Sequence, residues 1–174
     1  MALPKQLQLI MIATFAGLLA TAQDNRVVTN TVTQLFIQTD KRMWPEVTTC
    51  FADMVVLDYS SMNHQPAAAL SPRQIITSWK TLLPGFTQTH HQLGNFLITL
   101  DNNTATVFCY VTATHYLEDA GGNVWTVVGS YDFNLIKNAK GEWKITKMKF
   151  NFQYQDGNIS LPKKAMEKAK NSAP

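Results

Sequence analysis

Four polar side chains on separate segments of the chain have the right types to share one acid/base site. They are Asp40 at the end of a helical run, Tyr59 closing an apolar strand, and His91 and His115 on two later strands. Imidazole titrates near neutral pH, so a positioned histidine can take a proton from a carbon next to a carbonyl or a leaving group, which is worth about 10²- to 10⁴-fold in rate. A carboxylate on its other ring nitrogen holds the tautomer and stabilises the imidazolium. A second imidazole and a phenol can then donate to a developing oxyanion or protonate the leaving group. Asp40, His91 and His115 would also suffice in number for a three-ligand zinc site, but no Cys/His spacing of a metal motif accompanies them. Each has a plainer role open to it. Asp40 can simply end its helix, although a carboxylate there opposes the dipole. His91 and His115 can be buried and satisfied, and Tyr59 can be a strand-end aromatic. His64 and His90 read as surface residues.

The elements that must position these groups follow from apolar spacing. Val28, Val32, Leu35 and Phe36 recur at helical intervals and predict an amphipathic helix ending near Asp40-Lys41-Arg42. A short helix follows, with Pro45 in its first turn and Val47, Cys50 and Phe51 inward. Met54 to Tyr59 predicts a strand, and Ser60 to Ala69 a loop. Ser71-Pro72 is a helix start with a buried stripe of Ile75, Ile76, Trp79, Leu82 and Leu83, stopped by Pro84-Gly85. From Thr87 the period changes to two, and four strands are separated by turn clusters at Asp101-Asn102-Asn103, Ala120-Gly121-Gly122-Asn123 and Asn138-Ala139-Lys140-Gly141. On the strand Thr104 to Leu117, alternation puts Ala105, Val107, Cys109, Val111, Ala113 and His115 on one face. On the strand before it, His91, Leu93, Asn95 and Leu97 share a side, opposite His90 and Gln92. Helices over one curved antiparallel sheet make an α+β cone with room for a ligand.

Length and charge bound the rest. The 174 residues, 45% hydrophobic, suit one domain. Lys5 precedes an apolar run from Leu7 to Ala20 that closes on Ala20-Thr21-Ala22, predicting a signal peptide over residues 1–22 and a secreted or periplasmic protein. A retained anchor is the rival, but the run falls short of the roughly 20 apolar residues that span a bilayer. The domain then covers residues 23–161, followed by a charged tail over 162–174 that is frayed or helical. Fifteen basic residues against 12 acidic ones, with a local excess only at Lys163, Lys164, Lys168 and Lys170, are no nucleic-acid footprint. Cys50 and Cys109 either pair in an oxidising compartment or serve as small buried hydrophobes.

The order of elements, together with Asp40 before Trp44, Leu57-Asp58-Tyr59, His91-Gln92-Leu93-Gly94-Asn95, Ala113-Thr114-His115, and Trp125 leading to Gly129-Ser130-Tyr131, resembles the SnoaL-like branch of the nuclear transport factor 2-like superfamily. The resemblance spans roughly Asn25 to Leu161, and its nearest enzymes are scytalone dehydratase, hexachlorocyclohexane dehydrochlorinase and bile acid dehydratase. It implies three N-terminal helices packed on a curved, mostly antiparallel sheet. It implies that Asp40 and His91 form a catalytic dyad, that His115 matches the dehydratase's second histidine, and that Tyr59 matches one of its two water-binding tyrosines. The other tyrosine falls at Thr39 and is missing. Asn95, Ser130, Tyr131 and Trp79 are the expected substrate-binding residues. The expected ligand is a small hydrophobic molecule, with no cofactor, no metal, no nucleic acid, no stable membrane insertion after cleavage, and a homo-oligomeric (dimeric or trimeric) assembly.

Two function classes fit this pattern. One is a cofactor-free lyase or isomerase acting on a small cyclic molecule in the cone. The other is a secreted module of the same fold that binds a ligand without chemistry.

Overall fold

A computed structural model describes the backbone of residues 5–171 and the side chains of residues 20–171. The expected signal peptide over residues 1–22 therefore has a described backbone from Lys5 onward, while its first four residues and its side chains before residue 20 lie outside the described residues. Among those residues, no helix is long and apolar enough to cross a membrane.

Helix α1 runs from Lys5 to Asp40, and Val28, Val32 and Leu35 on its inner face are fully buried, with Phe36 nearly so. Helix α2 (Trp44–Thr49) has proline in its first turn, as expected, and buries Val47. Strand β1 (Phe51–Asp58) follows directly. The stretch expected as loop after Tyr59 contains a four-residue helix, α3 (Ser60–Asn63), and a short edge strand, β2 (Ala68–Leu70), that pairs antiparallel with β1. Neither is long enough to show a period, which is why neither is legible from apolar spacing. Helix α4 (Pro72–Lys80) opens with a full capping box, in which the Ser71 hydroxyl accepts from the Gln74 backbone N–H while the Gln74 side chain accepts from the Ser71 N–H. Such a cap contributes about 1 kcal/mol.

Strands β3 (Gln88–Asp101), β4 (Thr104–Tyr116), β5 (Val124–Lys137) and β6 (Trp143–Gly157) form the expected meander. The six strands lie in the order β2-β1-β6-β5-β4-β3, and every pairing is antiparallel except β1 with β6. The inward face of β4 alternates as expected, with Ala105, Val107, Cys109, Val111, Ala113 and His115 all buried. Strand β3 departs from simple alternation. A bulge after Gly94 shifts the register, Asn95 adopts a left-handed φ of 55°, and Leu97 becomes 69% exposed. The extra residue turns the later side chains over, so Asn95 and Leu97 do not share the side of His91 and Leu93.

The charged C-terminal segment forms helix α5 (Leu161–Asn171), with Leu161 and Ala165 fully buried. It meets the turn Leu83–Gly85 backbone to backbone: a Cβ placed on Gly85 would stand 1.8 Å from the Ala165 carbonyl oxygen. Only glycine permits that approach. Both cysteines are free and buried, so they are packing residues and not a disulfide.

Candidate active site

The end of α1 and the start of β3 are tied together by Arg42, a residue whose role has no signature in the sequence. Arg42 takes a left-handed φ of 58°, and its guanidinium donates to the Phe86 carbonyl and, at 3.5 Å, to the Leu83 carbonyl. That clamp fixes the segment entering β3 against the helix end that carries Asp40. Asp40 then accepts three hydrogen bonds from β3: from His91 Nδ1 at 2.7 Å, from the His91 backbone N–H at 2.8 Å and from the Thr89 hydroxyl at 2.8 Å. Burial works to raise the Asp40 pKa, but the bonds and charge of His91 and the Thr89 hydroxyl outweigh it, and the carboxyl stays below its ordinary range. Because a carboxylate only accepts, Nδ1 carries the proton and Nε2 is left as the basic nitrogen.

His91 and His115 stand edge to face, with ring centroids 5.8 Å apart. His115 is 4% exposed, packed against Phe86 and Trp125 at 4.9 and 4.6 Å between centroids. Its Nδ1 lies 3.4 Å from the Trp125 carbonyl oxygen, which can only accept. The proton is therefore on Nδ1, and Nε2 accepts; in this tautomer His115 does not donate into the site, contrary to the donor role that residue type alone allowed. Burial, reinforced by the neighbouring His91, pushes the His115 pKa down to about 4, with the Trp125 carbonyl and Asp40 opposing only in part. Below the ordinary value of 6.5 the unfolded chain takes up this proton and the folded chain does not until pH about 4, so stability falls as pH falls through that interval. The expected loss is about 3 kcal/mol. Denaturation midpoints measured across the interval should drop steeply for wild type and more shallowly for His115→Gln.

Both histidines open on a cavity of about 360 Å³, a size suited to a small organic ligand. Phe36, Leu57, Leu82, Val111, Val127 and Phe150 give it an apolar wall, and no lysine, arginine or carboxylate lines it among the described residues. Tyr59, Tyr131 and Trp79 also line it, as expected. Thr39 lines it as well, but its hydroxyl is committed to the Leu35 carbonyl at 2.7 Å. Asn95 and Ser130 are not brought there. Asn95 sits exposed on the β3 bulge, and Ser130 lies on the other face of β5, where Asn151 donates to its hydroxyl at 3.4 Å. Met166 of α5 reaches the rim. Among the described residues, no group of three or more histidines, cysteines or carboxylates is placed to hold a metal ion.

A match to the SnoaL-like domain covers residues 20–149. The chain belongs to the SnoaL-like domain family. No curated protein sequence matches it. Among solved structures, the Kfla4162 protein from Kribbella flavida superposes with a TM-score of 0.77 at 22% identity, over 82% of this chain and 99% of its own. A protein provisionally assigned as a scytalone dehydratase, from Novosphingobium aromaticivorans, gives 0.66 at 18% identity, over 79% of this chain and 89% of its own. Hexachlorocyclohexane dehydrochlorinase LinA-type3 from Novosphingobium barchaimii gives 0.68 at 12% identity, over 82% and 95% respectively. At these identities the likeness establishes the fold, the α+β cone of the nuclear transport factor 2-like kind, which this SnoaL-like chain shares with proteins carrying dehydratase and dehydrochlorinase names.

Proposed function

We propose that the protein is a cofactor-free lyase or isomerase whose His91–Asp40 pair removes a proton from a small hydrophobic cyclic molecule held in the cone. The observation that carries this reading is the 2.7 Å bond from His91 Nδ1 to Asp40 at the wall of an apolar cavity, which leaves Nε2 free to act as base. In elimination, His91 Nε2 takes a proton, the C–H electron pair becomes a new double bond, and the adjacent leaving group departs with its own bonding pair. In isomerisation the same imidazolium returns the proton to another carbon. His115, neutral and accepting through Nε2, suits a hydrogen bond from a substrate hydroxyl. The likeness in fold to proteins with dehydratase and dehydrochlorinase names supports the same class. The test is exchange or elimination in D₂O on a panel of cyclic hydroxy-ketones and halogenated rings, with wild type and His91→Ala compared.

The mature protein acts outside the cytoplasm after loss of residues 1–22, a reading supported by Lys5 and the apolar run closing on Ala20-Thr21-Ala22. Intact mass of the exported protein should place its N-terminus at Gln23. Recovery of Met1 in a membrane fraction would contradict it.

A further inference from the structure

The cavity lining divides by exposure into a floor and a mouth. Phe36, Val111 and Phe150 are buried, whereas Asn63, Ser78, Thr81 and Met166 are exposed. The mouth therefore lies where the ends of α3 and α4 meet helix α5. That helix holds four lysines and one glutamate, in a chain that has 15 basic and 12 acidic residues altogether. The entire formal excess of +3 is thus concentrated on a single helix at the mouth, and the rest of the chain is balanced.

The two flanks of α5 differ. On one, Lys164 is ion-paired with Asp119, whose carboxylate also accepts from the Asn158 side chain at 3.1 Å. This pairing anchors the helix beside the buried Leu161 and Ala165. On the other, Lys163 and Lys170 stand three residues before and four residues after Met166, spacings that share one side of a helix. Both are exposed, and neither ammonium is ion-paired among the described residues. Met166 between them is 48% exposed, and Ile159, just before the helix, is 66% exposed.

Exposed apolar side chains interleaved with lysines suit the boundary between water and lipid, where the apolar groups enter the acyl region and the ammoniums reach anionic headgroups. A soluble anion would make no use of Ile159 or Met166. Nucleic acid is bound through arginines and stacked aromatic rings, and α5 has neither. A molecule apolar enough to prefer this cavity over water also partitions into bilayers.

We infer that α5 docks the protein reversibly on an anionic lipid surface through Lys163, Lys170, Met166 and Ile159, turning the cavity mouth towards the bilayer from which its hydrophobic ligand comes. The helix lies on the surface and does not cross it. The inference needs the cavity and its mouth but no step of chemistry.

The test is co-sedimentation of the exported protein with vesicles of phosphatidylcholine, alone or mixed with phosphatidylglycerol. Wild type and variants share one N-terminus, recorded by intact mass, so their comparison isolates α5. Wild type should bind the mixed vesicles and bind phosphatidylcholine weakly, with the difference shrinking at high salt. Lys163→Gln combined with Lys170→Gln should weaken binding about tenfold or more, since each lysine near an anionic surface contributes about fivefold. Lys140→Gln combined with Lys147→Gln, a matched charge change at the other end of β6, should alter it little. Ile159→Ser combined with Met166→Ser should weaken binding at unchanged charge, and Glu167→Gln should tighten it. An environment-sensitive dye on Met166→Cys should shift to the blue on mixed vesicles and one on Lys140→Cys should not, the native Cys50 and Cys109 being buried. The inference is overturned if wild type does not bind mixed vesicles, if the Lys163 and Lys170 double variant binds as wild type does, or if the control pair matters as much. It is equally overturned if free glycerol phosphate or a DNA duplex binds as tightly as the vesicles, which would make α5 a general anion site. Vesicle binding without any proton exchange in wild type would count against the catalytic reading alone and leave this inference standing.

Discussion

His91→Ala is expected to lower the rate of proton exchange or elimination by about 10²- to 10⁴-fold, the contribution of one positioned general base. The fold should survive, because the His91 side chain is about 10% exposed on a cavity wall and its backbone bond to Asp40 does not depend on the ring. Loss of rate should appear in kcat more than in KM, since the imidazole acts on the reacting proton and contributes little to holding the apolar framework. A circular dichroism melt close to wild type, combined with the rate loss, would place the effect in the chemistry. Equal rates would remove His91 from the mechanism.

Asp40→Asn should be almost as damaging, for a reason specific to how Asp40 is used. The carboxylate accepts from three donors through two oxygens: Oδ1 takes His91 Nδ1 and the Thr89 hydroxyl, and Oδ2 takes the His91 backbone N–H. An asparagine amide has one oxygen, so in either orientation its NH₂ meets a donor. If the oxygen keeps the Oδ1 position, the clash falls on the backbone of β3. If the amide flips, the imidazole must move its proton to Nε2, and the nitrogen facing the cavity is no longer a base. Either outcome also withdraws the charge that stabilises the imidazolium, and comparable substitutions in histidine–carboxylate pairs cost up to about 10⁴-fold. The lost hydrogen bond should cost about 1–3 kcal/mol of stability as well. The acid limb provides an independent check. Since the Asp40 pKa is lowered in the folded state, its stabilisation is fully present above 3.8 and is lost as pH falls through the folded value; Asp40→Asn should lack that portion of acid denaturation. Denaturant titrations of both proteins over the acid range read it directly.

Much of this arrangement is legible in the sequence because it depends on period and residue type. Helical spacing from Val28 to Phe36 places Asp40 at a helix end, and alternation along β4 places His115 inward with Ala113 and Val111. Alternation allows only one of His90 and His91 to face the cavity, and the structure leaves His90 exposed and puts His91 on the cavity wall. What escapes is whatever depends on an interruption of the period or on a tertiary contact. The β3 bulge carries Asn95 out of the site, and no residue type announces it beyond Gly94 nearby. Ser130 and Tyr131 are adjacent in β5, so only one of them can face the cavity; the structure places Tyr131 there. Arg42 reads as a surface charge after a helix, and its hold on the Phe86 carbonyl needs the folded turn to exist. Thr89 is one of many strand threonines until Asp40 arrives beside it. Helix α5 illustrates the same limit. Its lysines suggest a solvated tail, while Leu161 and Ala165 are buried because Gly85 lets the backbones touch.

The central claim is that His91, oriented by Asp40, is a base facing an apolar cavity, and deuterium incorporation is the measurement closest to it. The purified protein is incubated in D₂O with each member of the cyclic hydroxy-ketone and halogenated-ring panel, and mass spectrometry follows deuterium uptake and loss of water or halide. At least one member should exchange or eliminate with wild type, and that activity should fall by about 10²-fold or more in His91→Ala. Turnover undiminished in His91→Ala, or no exchange with any member while ligands still bind wild type and variant alike, would contradict the claim and favour a binding module that performs no chemistry.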